Sequence, residues 1–242
     1  MINTIVEINM RLVILCLLLS TMYTYGQTQV AVVELFTSQG CSSCPAADQL
    51  LNELVNSRSD QLQVIGLSFH VAYWNRLGWK DPYSSDQFTE RQRWYAREMK
   101  LRSIYTPQMV VDGQTEFVGS SRSRLKEALS QTLTQPKQEI IIKDLIKEDK
   151  TLKFEIRCPE GQYGSINYAI VQSEASNFVS RGENQSKTLR HSNVVRVFTQ
   201  TAYQRTKSMT MTVPDTKGKL SLIVYAHRKN STQIGAVGMV QL

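Results

Sequence analysis

The chain has 242 residues, with 41% hydrophobic and 20% charged side chains. That balance describes a globular protein of one large domain or two modest ones. Its formal net charge is +7, but the basic residues are interleaved with acidic and polar ones. A spread of this kind is a solvated surface rather than a nucleic-acid footprint, so no nucleic-acid partner is expected.

The N-terminus reads as an export signal. Arg11 precedes a short apolar run over residues 12–19, and small or polar residues follow to Gly26. The run is well short of the roughly 20 residues a spanning helix needs. Residues 1–26 are therefore expected to be a signal peptide, with Gln27 as the mature start and Met10 a better initiator than Met1. The competing readings are a retained anchor, or a lipoprotein acylated at Cys16. Leu15 argues against the second, because a small residue is expected before an acylated cysteine. An exported chain, periplasmic or secreted, keeps no stable membrane span once the signal is removed. Three cysteines then remain, Cys41, Cys44 and Cys158. The close pair suggests a local bridge in a disulfide-permissive compartment. Cys158 reads as a buried small apolar residue.

Residues 29–36 form a nearly continuous apolar strand, of the kind buried on both faces. The pattern from Cys44 to Asn56 is helical, with Leu50, Leu51, Leu54 and Val55 on one face. A second strand lies over 63–69, completing a βαβ unit with a right-handed crossover. Residues 70–83 are an aromatic-rich loop at the carboxyl end of that strand, where open α/β sheets place ligands. Ser84 or Ser85 caps a helix from about Asp86 to Lys100. Residues 108–111 and 115–118 pair through the Asp112-Gly113 turn. Residues 122–133 form the last helix. After Gln135-Pro136-Lys137 the composition changes to about seven short strands, at 139–146, 151–158, 165–172, 193–201, 208–213, 219–226 and 234–241. These suggest an antiparallel β-sandwich with an immunoglobulin-like look, and Gly235 and Gly238 read as strand bulges.

The first half resembles the thioredoxin superfamily in its element order, in the Cys41-Ser-Ser-Cys44 pair opening a helix, and in Thr106-Pro107 before the hairpin. More narrowly, residues 34–45, the loop 70–81 and residues 105–113 resemble a bacterial family of secreted thioredoxin-like proteins of unknown function. The all-β region of that family carries a Gly-Glu-Asn segment and a Val-Val-Arg strand, which here are Gly182-Glu183-Asn184 and Val194-Val195-Arg196. The resemblance implies an α/β thioredoxin-like domain over residues 27–135 and a β-sandwich domain over 137–242. It also implies a cis bond before Pro107, facing the cysteines and exposing the Thr106 backbone to an incoming peptide. The alternative is a trans proline opening an edge strand. Thioredoxins carry Trp before the first cysteine, where this chain has Gly40, so potential and partner choice do not transfer.

At a helix N-terminus Cys41 would be favoured as thiolate and act as the accessible nucleophile, with Cys44 as resolving thiol. The alternative is a permanent disulfide, although so small a loop stabilises little. By the same resemblance Glu34 would be a buried acid moving protons to and from Cys44; otherwise it is an edge-facing, salt-bridged residue. His70 and Trp74, with Tyr73, Trp79 and Asp81, would wall the disulfide and meet substrate, or fill a minor core. A third arrangement has Cys41, Cys44 and His70 holding Cu(I). The long polar loop with Gly182-Glu183-Asn184 and His191 would contact a partner or serve as turn chemistry. The expected function is an exported thiol–disulfide oxidoreductase acting on protein or small-molecule thiols, with no cofactor or metal. The alternatives are an adaptor binding an envelope partner through the β-sandwich, and a copper carrier.

Overall fold

The computed structural model describes residues 28–57 and 59–242. The signal segment expected at residues 1–26, with Cys16, lies outside the described residues. No helix among them is long and apolar enough to cross a membrane.

The first half follows the expected local order. Strand β1 (Gln29–Thr37) leads to helix α1 (Cys44–Asn56) and strand β2 (Leu62–His70), which pairs parallel with β1. Helix α2 (Asp86–Glu98) follows, capped by Ser85, whose side chain accepts the Gln87 N–H. Strands β3 (Gln108–Val111) and β4 (Thr115–Val118) form the hairpin, and helix α3 (Arg122–Thr132) closes the segment. Alternation along β1 sorts its side chains onto two faces. Val33 and Leu35 pack with Ala47, Leu50 and Leu51 of α1 and Leu125 of α3. Val32 and Phe36 face the opposite way, toward Phe88 and Tyr95 of α2.

The rest is β structure: β5 (Gln138–Glu139), β6 (Ile141–Glu148), β7 (Thr151–Arg157), β8 (Tyr163–Val179), β9 (Lys187–Ala202), β10 (Thr206–Thr212), β11 (Leu220–Arg228) and β12 (Ile234–Gln241). Here the architecture departs from expectation. The described chain is 48% strand and 19% helix, so it is mostly β. Its main layer is one mixed nine-stranded sheet, ordered β4-β3-β1-β2-β9-β8-β11-β12-β5, with a second sheet ordered β10-β7-β6. The expected α/β thioredoxin-like domain beside an immunoglobulin-like sandwich is thereby corrected. What looked like the sandwich's larger sheet continues into the first half, where β2 meets β9 in parallel at Ser68 and Val194. The core continues with it: Val32, Phe69 and Tyr95 share a cluster with Val195, Phe198 and Tyr225. The small sheet covers the other face of the later strands, its Leu152, Phe154 and Ile156 sharing a core cluster with Tyr168 of β8.

Strands β8 and β9 are also longer than expected. Their hydrogen-bonded pairing runs out to Val179 and Lys187, through the stretch that reads as a long polar loop. The reason lies in what they face. Asn177 and His191 point toward polar partners rather than a core, so the hydrophobic alternation that betrays a strand is absent there.

Two contacts lock the first half onto the far end of the sheet. Asp112 and Gly113 have φ of 52° and 67°, both positive as a type I′ turn requires, and Gln114 is a third loop residue before Thr115 pairs with Val111. The turn also lies against the β11–β12 connection, where the Ile234 N–H donates to the Asp112 carbonyl at 2.9 Å. A Cβ on Gly113 would sit 1.8 Å from the Thr232 carbonyl oxygen. Gly235 is the extra residue of a bulge, since Ala226 pairs with Ala236 and His227 with Ile234. Gly238 pairs regularly and instead makes room for the Ile140 backbone.

Gly113→Ala is expected to cost at least ~2 kcal/mol, from the unfavourable φ and the backbone clash together, read as a lower urea midpoint. A pH effect follows from His227, which is buried and whose Nδ1–H donates to the Thr232 carbonyl at 2.6 Å. Burial, aided by the Arg91 charge, pulls its pKa down to about 4. The unfolded chain takes up this proton below about 6.5, the folded chain only near 4. Stability should therefore fall by about 3 kcal/mol as pH drops through that window. Unfolding curves for His227→Gln should lose that component of the acid dependence.

Candidate functional site

Cys41 and Cys44 form a disulfide across the first turn of α1, with Cα atoms 5.4 Å apart. The helix starts without a side-chain cap and with no acid in its first turn. The positive end of its dipole therefore lies at the cysteines, a setting that favours thiolate at Cys41. Both cysteines are buried, Cys41 being only 1% exposed. The accessible first cysteine expected from sequence is thus covered in this closed state.

The cover comes from the second half. The β8–β9 turn carries Gly182-Glu183-Asn184 over the cysteine loop. Asn184, itself fully buried, donates from Nδ2 to the Gln39 carbonyl at 3.0 Å and to the Cys41 carbonyl at 2.8 Å. The Glu183 carboxylate accepts the Ser42 N–H at 2.8 Å. Hydrogen bonds from Ser42 hold the Glu183 pKa below its usual range. The Gly-Glu-Asn segment is therefore a strap on the disulfide loop.

From the other side, Trp74 ties the loop to the proline segment. Its Nε1–H donates to Thr106 Oγ1 at 2.7 Å. A Cβ on Gly40 would meet the Trp74 Cβ at 3.2 Å, so the space beside the first cysteine is taken by Trp74. The Thr106–Pro107 bond is cis. Pro107 lies beside Gly119, against which Ala47 of α1 also packs. Trp74 thus links the cysteine loop to Thr106, and Pro107 lies near α1 across Gly119.

Glu34 belongs elsewhere. It shares the Val32–Phe36 face of β1, opposite to the face on which α1 packs. It is 1% exposed and accepts from Arg91 Nε at 2.5 Å, Arg91 Nη2 at 2.7 Å and the Tyr95 hydroxyl at 2.7 Å. Of its two expected readings the geometry matches the ion-paired one, in the core rather than at an edge.

His70 opens a buried polar cluster behind the loop. Its Nδ1 lies 2.6 Å from Asp81 Oδ2, which also accepts the Gln39 N–H at 2.9 Å. Burial alone would raise the Asp81 pKa, but His70 and the N–H groups of Gln39 and Tyr83 hold it below its ordinary value. The His70 ring meets His191 edge to face at 4.6 Å. His191 Nδ1 is 3.4 Å from Asp48 Oδ2, and Nε2 is 3.1 Å from Gln39 Nε2. Burial lowers the His191 pKa, yet Asp48 and then Asp81 outweigh it and leave it raised. The Gln39 and Asn177 amides pair reciprocally, at 2.5 and 2.9 Å. Among the described residues no three His, Cys, Asp or Glu side chains are grouped as a metal would require. The set Cys41, Cys44 and His70 is therefore not assembled.

Sequence reading missed Gln39, Asp48 and Asn177 and set His191 in a loop. Asp48 carried a signal: it stands one helical turn after Cys44 on the buried face of α1, between Ala47 and Leu51. Gln39 and Asn177 carried none, because the side chains that explain them, each other and for Gln39 also Trp79 and His191, lie far away along the chain.

The family described as protein of unknown function (DUF1223) matches residues 32–227. The chain belongs to this family. The match runs from β1 into β11 and so takes in the disulfide, the strap and the His70–His191 cluster. The crystal structure of protein AGR_C_4864 from Agrobacterium tumefaciens is similar, at 27% identity with a TM-score of 0.63, over 89% of this chain and 95% of that one. The chicken interferon gamma receptor alpha chain overlaps 56% of this chain and 58% of its own, at 13% identity and a TM-score of 0.26, too low to bear on the fold. No curated protein matches.

Asn184→Ala would leave the Gln39 carbonyl without a donor and the Cys41 carbonyl with the Cys44 N–H alone, at a cost of about 2 kcal/mol. The strap should then open roughly thirty-fold more often. The measurement is the rate of disulfide reduction by dithiothreitol under native conditions.

Proposed function

We propose that this protein is a thiol–disulfide oxidoreductase working through Cys41 and Cys44. The observation that supports it is the closed pair at the bare N-terminus of α1, gripped from both halves of the chain. This reading does not depend on a separate thioredoxin-like domain. In the reduced form the Cys41 thiolate attacks a substrate disulfide. One Cys41–substrate bond forms, and the first substrate sulfur leaves as thiolate. Cys44, having lost its proton, attacks Cys41 Sγ. The Cys41–Cys44 bond forms and the second substrate thiolate departs, so two electrons pass to the substrate. With a substrate dithiol the same steps run backward. Thr106, Pro107, Trp74 and His70 are the residues proposed around the incoming chain. Read with the N-terminal signal, the exchange takes place outside the inner membrane.

The 1% exposure of Cys41 favours a second reading, a structural disulfide in an envelope adaptor. Equilibration in glutathione buffers with thiol trapping separates the two. A redox-active pair should titrate between roughly −270 and −120 mV; a pair that stays oxidised throughout supports the adaptor. Cys44→Ser should accumulate mixed disulfides on Cys41 in cells, and Cys41→Ser should accumulate none.

A further inference from the structure

Cys44 must lose its proton before it can attack Cys41, because the thiolate is the nucleophile. Cys44 is fully buried, so the groups around it decide where that proton goes. Asp48 stands one helical turn on, on the same buried face of α1. Helix side chains lean toward the N-terminus, so the Asp48 carboxylate leans over the turn that carries Cys44. Its two oxygens are unequally used. Oδ2 accepts from Thr37 at 3.3 Å and lies 3.4 Å from His191 Nδ1. Oδ1 is buried without a partner. Such an oxygen is costly to hold, and a proton from the turn before it is what it can accept.

His191 supports the other oxygen. The Trp79 Nε1–H and the Asn177 amide both donate to Gln39 Oε1, at 3.1 and 2.9 Å, which turns Gln39 Nε2 toward His191 Nε2. With Nε2 accepting, the proton of a neutral His191 ring belongs on Nδ1, the nitrogen nearest Asp48. A charged ring keeps a proton there as well. Both states favour an ionised Asp48 through Oδ2 and leave Oδ1 open. Asp48 and His191 also line a cleft of about 1260 Å³ between α1 and the β8–β9 hairpin. Gly182, Glu183 and Asn184 are not among its lining residues, so a proton can pass to solvent there without the strap opening.

We propose that Asp48 is the proton acceptor for Cys44, with His191 as the positioning residue for its carboxylate. The proposal rests on the thiol–disulfide reading and says how its resolving step is driven. The Cys44 S–H bond breaks and an O–H bond forms at Asp48 Oδ1. The Cys44 thiolate bonds to Cys41 Sγ, and the substrate sulfur leaves with the electron pair of the broken disulfide. Solvent in the cleft then takes the proton from Asp48. In the reverse direction Asp48 returns a proton to Cys44 as a substrate thiolate opens the bridge.

The test is rapid mixing of the reduced full chain with excess dithiobis(nitrobenzoate). One coloured thiolate is released when Cys41 attacks the reagent, and a second when Cys44 resolves the mixed disulfide. Cys158 stays silent, because burial pushes its thiol pKa up to about 11. In wild type the second release should level off toward neutral pH. In the isosteric Asp48→Asn it should be roughly a hundredfold slower near neutrality and climb about tenfold per pH unit, while the first release keeps its rate. His191→Phe, which keeps a ring against His70, should move the inflection of the second release up by about one pH unit. The other titratable groups facing the pair are His70 of β2 and Asp81 and Tyr83 of the loop after it, and both variants retain them. On β8 the residue opposite His191 is the uncharged Ala175. A second release unchanged in Asp48→Asn overturns the proposal, as does one slowed with its pH profile intact or slowed together with the first. An inflection that stays put in His191→Phe overturns the role of His191. A wild type that gives no second release removes the thiol–disulfide reading itself.

Discussion

Arg91, ion-paired with Glu34 inside the first half, is the point on which the two halves of this chain close as one body. Arg91 rises from α2 and Glu34 lies in the middle of β1. The guanidinium sits among five aromatic rings, with Phe198 at 4.7 Å, Tyr95 at 5.1 Å, Phe69 and Tyr225 at 5.5 Å and Trp94 at 5.7 Å. Phe198 and Tyr225 come from the second half, as does Asn167, whose Oδ1 accepts from Arg91 at 3.3 Å. Burial works against the arginine charge, but Glu34 and the tyrosines outweigh it and raise its pKa. A lone charge in such a place would be strongly unfavourable, and removing either partner of a buried pair costs several kcal/mol. The pair is therefore weak evidence of extra stability and good evidence of specificity. The ring shell completes only when β8, β9 and β11 lie beside β1 and β2.

That constraint explains what could be read in the sequence and what could not. Apolar periodicity located all three helices and the strands of the first half to within a few residues, because those elements bury one clean face. The Asp112-Gly113 turn and the strap motif were visible as short strings. The continuous sheet was not. Its seam is a single bridged pair, Ser68 with Val194, and the energy of the join lies in side chains far apart in the chain. Arg91 and Asn167 are 76 residues apart, and an arginine in a helix says nothing of which distant side chains will enclose it. The outer parts of β8 and β9 escaped for a related reason. Their inward residues, Asn177 and His191, meet other polar side chains, so a strand there has the composition of a loop.

The placement of Glu34 shows how a local resemblance misleads about a role. An acid seven residues before the first cysteine is in the right place along the chain to serve Cys44. Strand alternation sends it to the other face. The acid on the cysteine side of β1 is Asp48 of α1, held there by Thr37, which shares the odd-numbered face with Val33 and Leu35.

The two faces of β1 then divide the labour. Through its even-numbered residues the strand is joined to the second half by Arg91 and its rings. Through Thr37 and the loop beyond it carries the disulfide, which the second half reaches by a different route, the far end of the β8–β9 hairpin. The hairpin's base is held in the shared core through Ala169, Val171, Val195 and Phe198. Its tip delivers Asn177, Glu183, Asn184 and His191 to the cysteine loop and the Asp48 cluster. Strands of 17 and 16 residues are long for a globular protein, and burying a core does not require their outer thirds. Those outer thirds are what cover the cysteines and form one wall of the cleft beside α1. The tip of one hairpin thus both covers Cys41 and walls the cleft beside α1, while its base is fixed in the core around Arg91.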